Sequence, residues 1–136
     1  MKPFDVELEG LVARYRLPER AFEQVGALVA VLERPAAPTS VHEPERVLRA
    51  HIADSLVALE LEATHTASAI VDIGAGAGLP GLPLAVALPG SVVWVLESQR
   101  RKCAFVEAAC EEVGIENVRI ACARAEEWRE GVGGGR

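Results

Sequence analysis

The sequence predicts an α/β fold in which a small parallel sheet follows a helical N-terminal segment. Three observations predict it. Apolar runs of strand length recur at Ala69–Ile73, Val92–Leu96 and about Val118–Cys122, a segment of helical length separates each from the next, and the first run ends in a glycine-rich turn. Such β-α-β-α-β order implies right-handed crossovers and a ligand site at the carboxyl ends of the strands. Upstream of Ser68 the pattern is helical, so the chain divides into residues 1–68, a helical segment packing on the sheet, and 69–136, the ligand-binding core.

With 136 residues, 50% hydrophobic and 25% charged, the chain can form one domain with its own core. A formal charge of −6 argues against a surface that grips nucleic acid everywhere, so any RNA contact must be local. There is no apolar run of membrane-spanning length and no basic-then-apolar leader, which points to a cytoplasmic protein with no membrane segment. Cys103, Cys110 and Cys122 lack metal-site spacing, so no metal is expected. Cys103 and Cys110 lie two turns apart on one predicted helix and can share a buried face. All three are read as reduced core thiols.

In chain order, Phe4 to Tyr15 has partial helical spacing, and Pro18 opens a cleaner helix with Phe22, Val25, Val29 and Leu32 in one apolar stripe. Arg34 to Ser40 is a proline-bearing extended loop. The next helix is expected from Pro44 to Leu61, with Leu48, Ile52, Ser55, Leu56 and Leu59 roughly on one side. On it His51 and Asp54 share a neighbouring face, either as a polar pair at the core edge or as a reactive pair. Glu62 to Ser68 is a polar connector.

Ala69, Ile70, Val71 and Ile73, interrupted only by Asp72, read as a strand buried on both faces. Gly74, Gly76 and Gly78 follow, residues without a Cβ to hinder a ligand approaching the backbone. Pro80 and Pro83 suit the first turn of a helix running through Leu88. Glu97 ends the second strand, and a helix from about Arg100 to Val113 leads to the third. Glu97 suits ribose recognition, with capping of the next helix as the alternative. Arg100, Arg101 and Lys102 open that helix against its dipole, either to bind phosphate or as a solvated basic turn. Ala125 and Glu126 follow the third strand, where an adenine edge would lie.

Two cofactors compete for the glycine turn. Residues Gly76 to Gly81 fit the G-x-G-x-x-G dinucleotide fingerprint, with Glu97 at a suitable distance beyond. Asp72, however, would set a negative charge near a pyrophosphate, whereas S-adenosyl-L-methionine carries a sulfonium and an ammonium that a carboxylate favours. The local chemistry favours the methyl donor over the nicotinamide cofactor. A turn built only for strand–helix packing is the third reading.

Four phrases together resemble a known family. Arg49 to Leu56 (R-A-H-I-A-D-S-L), Asp72 to Leu84 (D-I-G-A-G-A-G-L-P-G-L-P-L), Val95 to Lys102 (V-L-E-S-Q-R-R-K) and Ala123 to Trp128 (A-R-A-E-E-W) are similar to motifs of glucose-inhibited division protein B, the RsmG type of bacterial 16S ribosomal RNA guanine-N7 methyltransferase. The resemblance implies a Rossmann-like class I methyltransferase sheet, partial at about three parallel strands and preceded by helices. It also implies donor contacts at Gly74 and Leu79 supported by the other glycines, ribose binding by Glu97 and adenine-side contacts by Ala125 and Glu126. The implied partner is small-subunit ribosomal RNA or the ribosomal subunit, met by a monomer. The rival from another class is a cofactor- or RNA-binding module without turnover.

Three departures from the family pattern stand out. Thr39 and Ser40 lack the usual tyrosine-asparagine before them, and Glu97-Ser98 replaces a commoner Asp-Ser. The sequence also ends at Arg136, before the family's fourth strand and its serine-arginine-alanine motif. On this reading the chain is a C-terminally truncated member.

Overall fold

The computed structural model describes residues 2–128, so residues 129–136 of the expected core lie outside the described residues. The N-terminal part contains α1 (Pro3–Arg14), α2 (Ala21–Leu32), α3 (Pro44–Val47), α4 (Asp54–Leu56) and α5 (Glu62–His65). The remainder alternates: β1 (Ala69–Ile73), α6 (Gly81–Ala87), β2 (Val92–Leu96), α7 (Arg100–Val113), β3 (Val118–Ala121) and a final 3₁₀ turn at Ala125–Glu127. The strands form one parallel sheet in the order β1-β2-β3.

The apolar stripe of α2 joins the two parts. Val25, Leu28, Val29 and Leu32 are buried, and this helix packs against α1, α6 and α7. Charged pairs fasten the periphery: Arg49 to Glu7, Arg14 to Glu60 and Arg34 to Glu112. These side chains are largely exposed, so each pair adds little, and the buried stripe supplies most of the attachment.

Where the spacing predicts one helix over Pro44–Leu61, the chain changes helical type along its length. A π segment, Leu48–Ala53, lies between α3 and α4, and a 3₁₀ turn, Val57–Glu60, follows. Leu48, Ile52, Leu56 and Leu59 are nevertheless buried as the stripe requires. Inside the run the Ser55 hydroxyl donates to the His51 carbonyl at 2.5 Å, a side-chain bond of the kind that bends helices. The expected polar connector after Leu61 contains the single turn of α5.

The first strand departs from expectation. Register places Ile70, Val93 and Val118 in one row and Asp72, Val95 and Ile120 in another, and the apolar members of these rows all belong to or pack on the core. The alternate residues face the other way and are not in that core: Ile73 is 66% exposed, and Trp94 is covered by the Trp128 ring at 5.3 Å. The apolar run of β1 therefore does not mean burial on both faces. It lies at the edge of the described sheet, with one face turned to α6 and Ile73 exposed on the other.

The cysteines require a second correction. Cys103 and Cys110 do share the buried face of α7, but Cys103 is bonded to Cys122 across a Cα separation of 6.0 Å, leaving Cys110 as the free thiol. Helical spacing within α7 compares only Cys103 with Cys110. It is the parallel crossover that returns the end of β3 to the start of α7, and sequence spacing does not carry that proximity.

Candidate functional site

All three strand exits meet at one edge. The Gly74 amide donates to the Leu96 carbonyl at 2.8 Å and the Glu97 amide donates to the Ala121 carbonyl at 3.1 Å, so the segments after β1, β2 and β3 begin side by side. Positive φ values occur at Gly74, Gly76 and Gly78, namely 72°, 58° and 91°. Beyond φ, the glycines differ in what surrounds them. Among the described residues, a Cβ built on Gly76 would meet nothing within 4 Å, whereas one on Gly78 would lie 2.7 Å from Leu82. The first direction is open to a ligand; the second is filled by core.

Glu97 joins the first two loops. Its Oε1 accepts from the Gly76 amide at 3.0 Å and its Oε2 from the Gln99 amide at 2.9 Å. The residue is only 6% exposed. Burial opposes its ionisation, but the Gln99 and Gly76 amides, the Lys102 charge and the Ser98 amide outweigh burial and hold its pKa below the usual glutamate value. The carboxylate supports the start of α7, as the capping alternative has it, and also accepts from the glycine turn.

Asp72 works from below. Its Oδ2 accepts from the amide of Gly81, the first residue of α6, at 2.9 Å. Burial pushes its pKa up, the Gly81 amide works against that shift, and the negative Glu97 adds to it. A raised carboxyl pKa stabilises the fold in acid, and that contribution is lost as pH rises from the unfolded aspartate value through the folded one. Asp72→Asn keeps an acceptor for Gly81 without the buried charge. Urea unfolding should find this variant more stable than the parent at pH 7 and equal to it at about pH 3, below the ordinary aspartate range. A variant less stable at pH 7 would contradict this balance.

His51 and Asp54 do meet the turn. With Ala50, Ser55 and Ala58 they line a pocket of about 260 Å³ whose other wall is Leu79 and Pro80. His51 Nε2 lies 2.7 Å from the Thr39 hydroxyl, which also accepts from the Val41 amide at 3.2 Å. Thr39 thus holds the imidazole from the proline-bearing loop, a partnership that helical spacing could not show. Asp54 is exposed.

Arg100 and Arg101 are exposed and Lys102 is half-buried. Arg101 and Lys102, with Gln99, Phe105, Ala36 and Pro38, line a second pocket of about 300 Å³. Ala125 and Glu126 stand exposed on the turn after β3, held between the Cys122 bond and the Trp128–Trp94 contact. Among the described residues no group of His, Cys, Asp and Glu is arranged to hold a metal. No described helix is long and apolar enough to cross a membrane.

A parallel sheet, a glycine turn after its first strand and a second-strand acid bonded into that turn make a Rossmann-like core, consistent with the methyltransferase class. Comparison with known proteins gives the family. Residues 19–132 match the GidB family, described as rRNA small subunit methyltransferase G, and the chain belongs to it. It is 43% identical over 91 residues to a ribosomal RNA small subunit methyltransferase G of Synechococcus elongatus, covering 66% of this chain and 38% of the relative. For the protein of that name from Nitrosospira multiformis the identity is 44% over 96 residues, covering 70% and 43%. For the Actinobacillus pleuropneumoniae protein it is 36% over 122 residues, covering 87% and 58%. The chain therefore spans between 38% and 58% of the length of these relatives.

Proposed function

We propose that this chain is the donor-binding part of an S-adenosyl-L-methionine-dependent methyltransferase acting on N7 of a guanine in small-subunit (16S) ribosomal RNA. The observation that carries the reading is the Glu97–Gly76 junction within a member of this family. The residues suit the donor. A strand-end carboxylate can accept from two vicinal ribose hydroxyls, and the open Cβ direction at Gly76 leaves room for a ligand against the backbone. Gly74, Gly76, Gly78 and Leu79 would face the donor, Ala125 and Glu126 its adenine side, and Asp72 would place negative charge beneath its cationic end.

Bound there, the donor would supply an electrophilic methyl group on its sulfonium. Guanine N7 carries a lone pair and no proton, so the chain need not provide a general base. Its contribution is alignment of acceptor and donor. His51 and Asp54 would line the target side through the Leu79 pocket, without an assigned catalytic role. Arg100, Arg101 and Lys102 would take RNA phosphates, which position a substrate without reading its sequence. We read the protein as a cytoplasmic monomer whose partner is the RNA or the ribosomal subunit.

A second reading is a cofactor- or RNA-binding module without turnover. Methyl transfer to small-subunit RNA separates the two. Glu97→Gln tests the site itself. The variant should lose roughly 1 to 3 kcal/mol of affinity for S-adenosylhomocysteine, the scale of a hydrogen bond to a charged group. It should also be less stable at neutral pH. The lowered pKa means that ionised Glu97 stabilises the fold above the ordinary glutamate range, and that this contribution is lost as pH falls through the folded value. Lower stability with unchanged donor affinity would leave Glu97 as a helix cap alone.

A further inference from the structure

We propose that Cys103 and Cys122 form a thiol–disulfide switch that fixes or frees the segment after β3, and so sets the affinity of the donor site on which the functional reading rests. The placement of the pair supports this. Cys122 follows the last residue of β3 and precedes the turn carrying Ala125 and Glu126, while Cys103 lies in the first turn of α7, its sulfur 3.2 Å from the Glu97 carbonyl oxygen. The bond therefore ties the adenine-side segment to the segment of the ribose acid. In the reduced form that tie is gone, and the Cys103 thiol is free to donate to the Glu97 carbonyl.

Accessibility assigns the order of the chemistry. Cys122 is exposed, whereas Cys103 is 7% exposed. With hydrogen peroxide as oxidant, the Cys122 thiolate attacks one peroxide oxygen, the O–O bond breaks, and the leaving hydroxide takes up the proton the thiol lost, giving a sulfenic acid and one water. Cys103 sulfur then displaces the sulfenic oxygen as a second water, making the S–S bond. Two thiols have lost two electrons and two protons, and hydrogen peroxide has been reduced to two waters. A dithiol reverses the step by exchange. Cys110 stays out of it, because burial, reinforced by Glu107, pushes its thiol up to about 11.

A tied segment is already ordered when the donor arrives, whereas a freed one must be ordered on binding. The oxidised 136-residue chain should bind S-adenosylhomocysteine about fivefold more tightly than the dithiothreitol-reduced chain, the scale of ordering a side chain or two. Free-thiol titration establishes each state, and Cys122→Ser should bind as the reduced chain does under both conditions. Equal affinities, the reverse order, or a redox difference that survives in Cys122→Ser would overturn the proposal. Hydrogen exchange at the amides of Ala123 to Trp128 gives a second readout that needs no donor, and should be slower in the oxidised chain. If neither state binds the donor, the donor reading fails and exchange alone decides the switch: slower exchange supports it, equal rates overturn it.

Discussion

Gly78→Ala should cost the chain about 3 kcal/mol of stability, enough to shift its thermal midpoint by many degrees. Two independent penalties add. The position has φ 91°, which side-chain-bearing residues rarely adopt, and the new methyl would stand 2.7 Å from both Cγ and Cδ1 of Leu82. Leu82 cannot yield easily: it is fully buried, on the face of α6 that packs into the common core. Val106 of α7 closes the same space at 3.5 Å. Relief would require moving α6 away from the turn, together with the Asp72–Gly81 bond that sets its start. Urea denaturation with a fitted midpoint is the measurement. A loss below about 1 kcal/mol would mean that the turn gives way without disturbing α6.

Gly76→Val should produce the opposite pattern, a chain that still folds but has lost at least about a hundredfold in donor affinity, roughly 2.7 kcal/mol. Among the described residues, nothing beyond the chain neighbours lies within 4 Å of a Cβ built on Gly76. The cost to folding is then mainly that of a β-branched residue at φ 58°, roughly 1 to 2 kcal/mol. On the proposed reading, a branched side chain in the open direction stands where the donor meets the backbone. Calorimetric titration with S-adenosylhomocysteine, after cooperative unfolding has been verified, makes the comparison. A folded variant with parental affinity would remove the Gly76 turn from the donor site.

These glycines show what can be read from sequence and what cannot. Strand runs, the need for glycine after β1 and the acid ending β2 follow from local pattern, and β1, β2 and α7 have their expected bounds. The division between an open glycine and a packed one does not. It depends on Leu82 and Val106, which reach the turn from two helices. Likewise, an apolar run such as Ala69–Ile73 reports hydrophobicity without saying which neighbours exist. The exposed Ile73 and the tryptophan pair on that side emerge only when the two crossovers pack α6 and α7 into the common core.

Local spacing also put His51 and Asp54 on adjacent faces of one helix, but their shared pocket requires Leu79 and Pro80 from the glycine turn. The π segment beneath His51 left no signature in the apolar stripe, because Leu48, Ile52 and Leu56 are buried as an α-helix would bury them. Cysteine pairing was hidden for a different reason. Cys103 and Cys122 are 19 residues apart, and only the crossover from α7 through β3 sets them in bonding range. The Glu97–Gly76 hydrogen bond lay between these extremes: both residues were identifiable, while their direct contact needed the parallel register of β1 with β2.

Calorimetric titration of the unmodified chain with S-adenosylhomocysteine and, separately, with NAD decides whether the glycine turn and Glu97 form a methyl-donor site. The nicotinamide cofactor is the fair competitor, since Gly76 to Gly81 also fits its fingerprint. Both titrations should be run at one salt concentration and one redox state. S-adenosylhomocysteine should bind saturably with one site per chain, more weakly in Glu97→Gln, and NAD should show no saturable binding. Saturation by NAD without binding of S-adenosylhomocysteine would contradict the methyl-donor site.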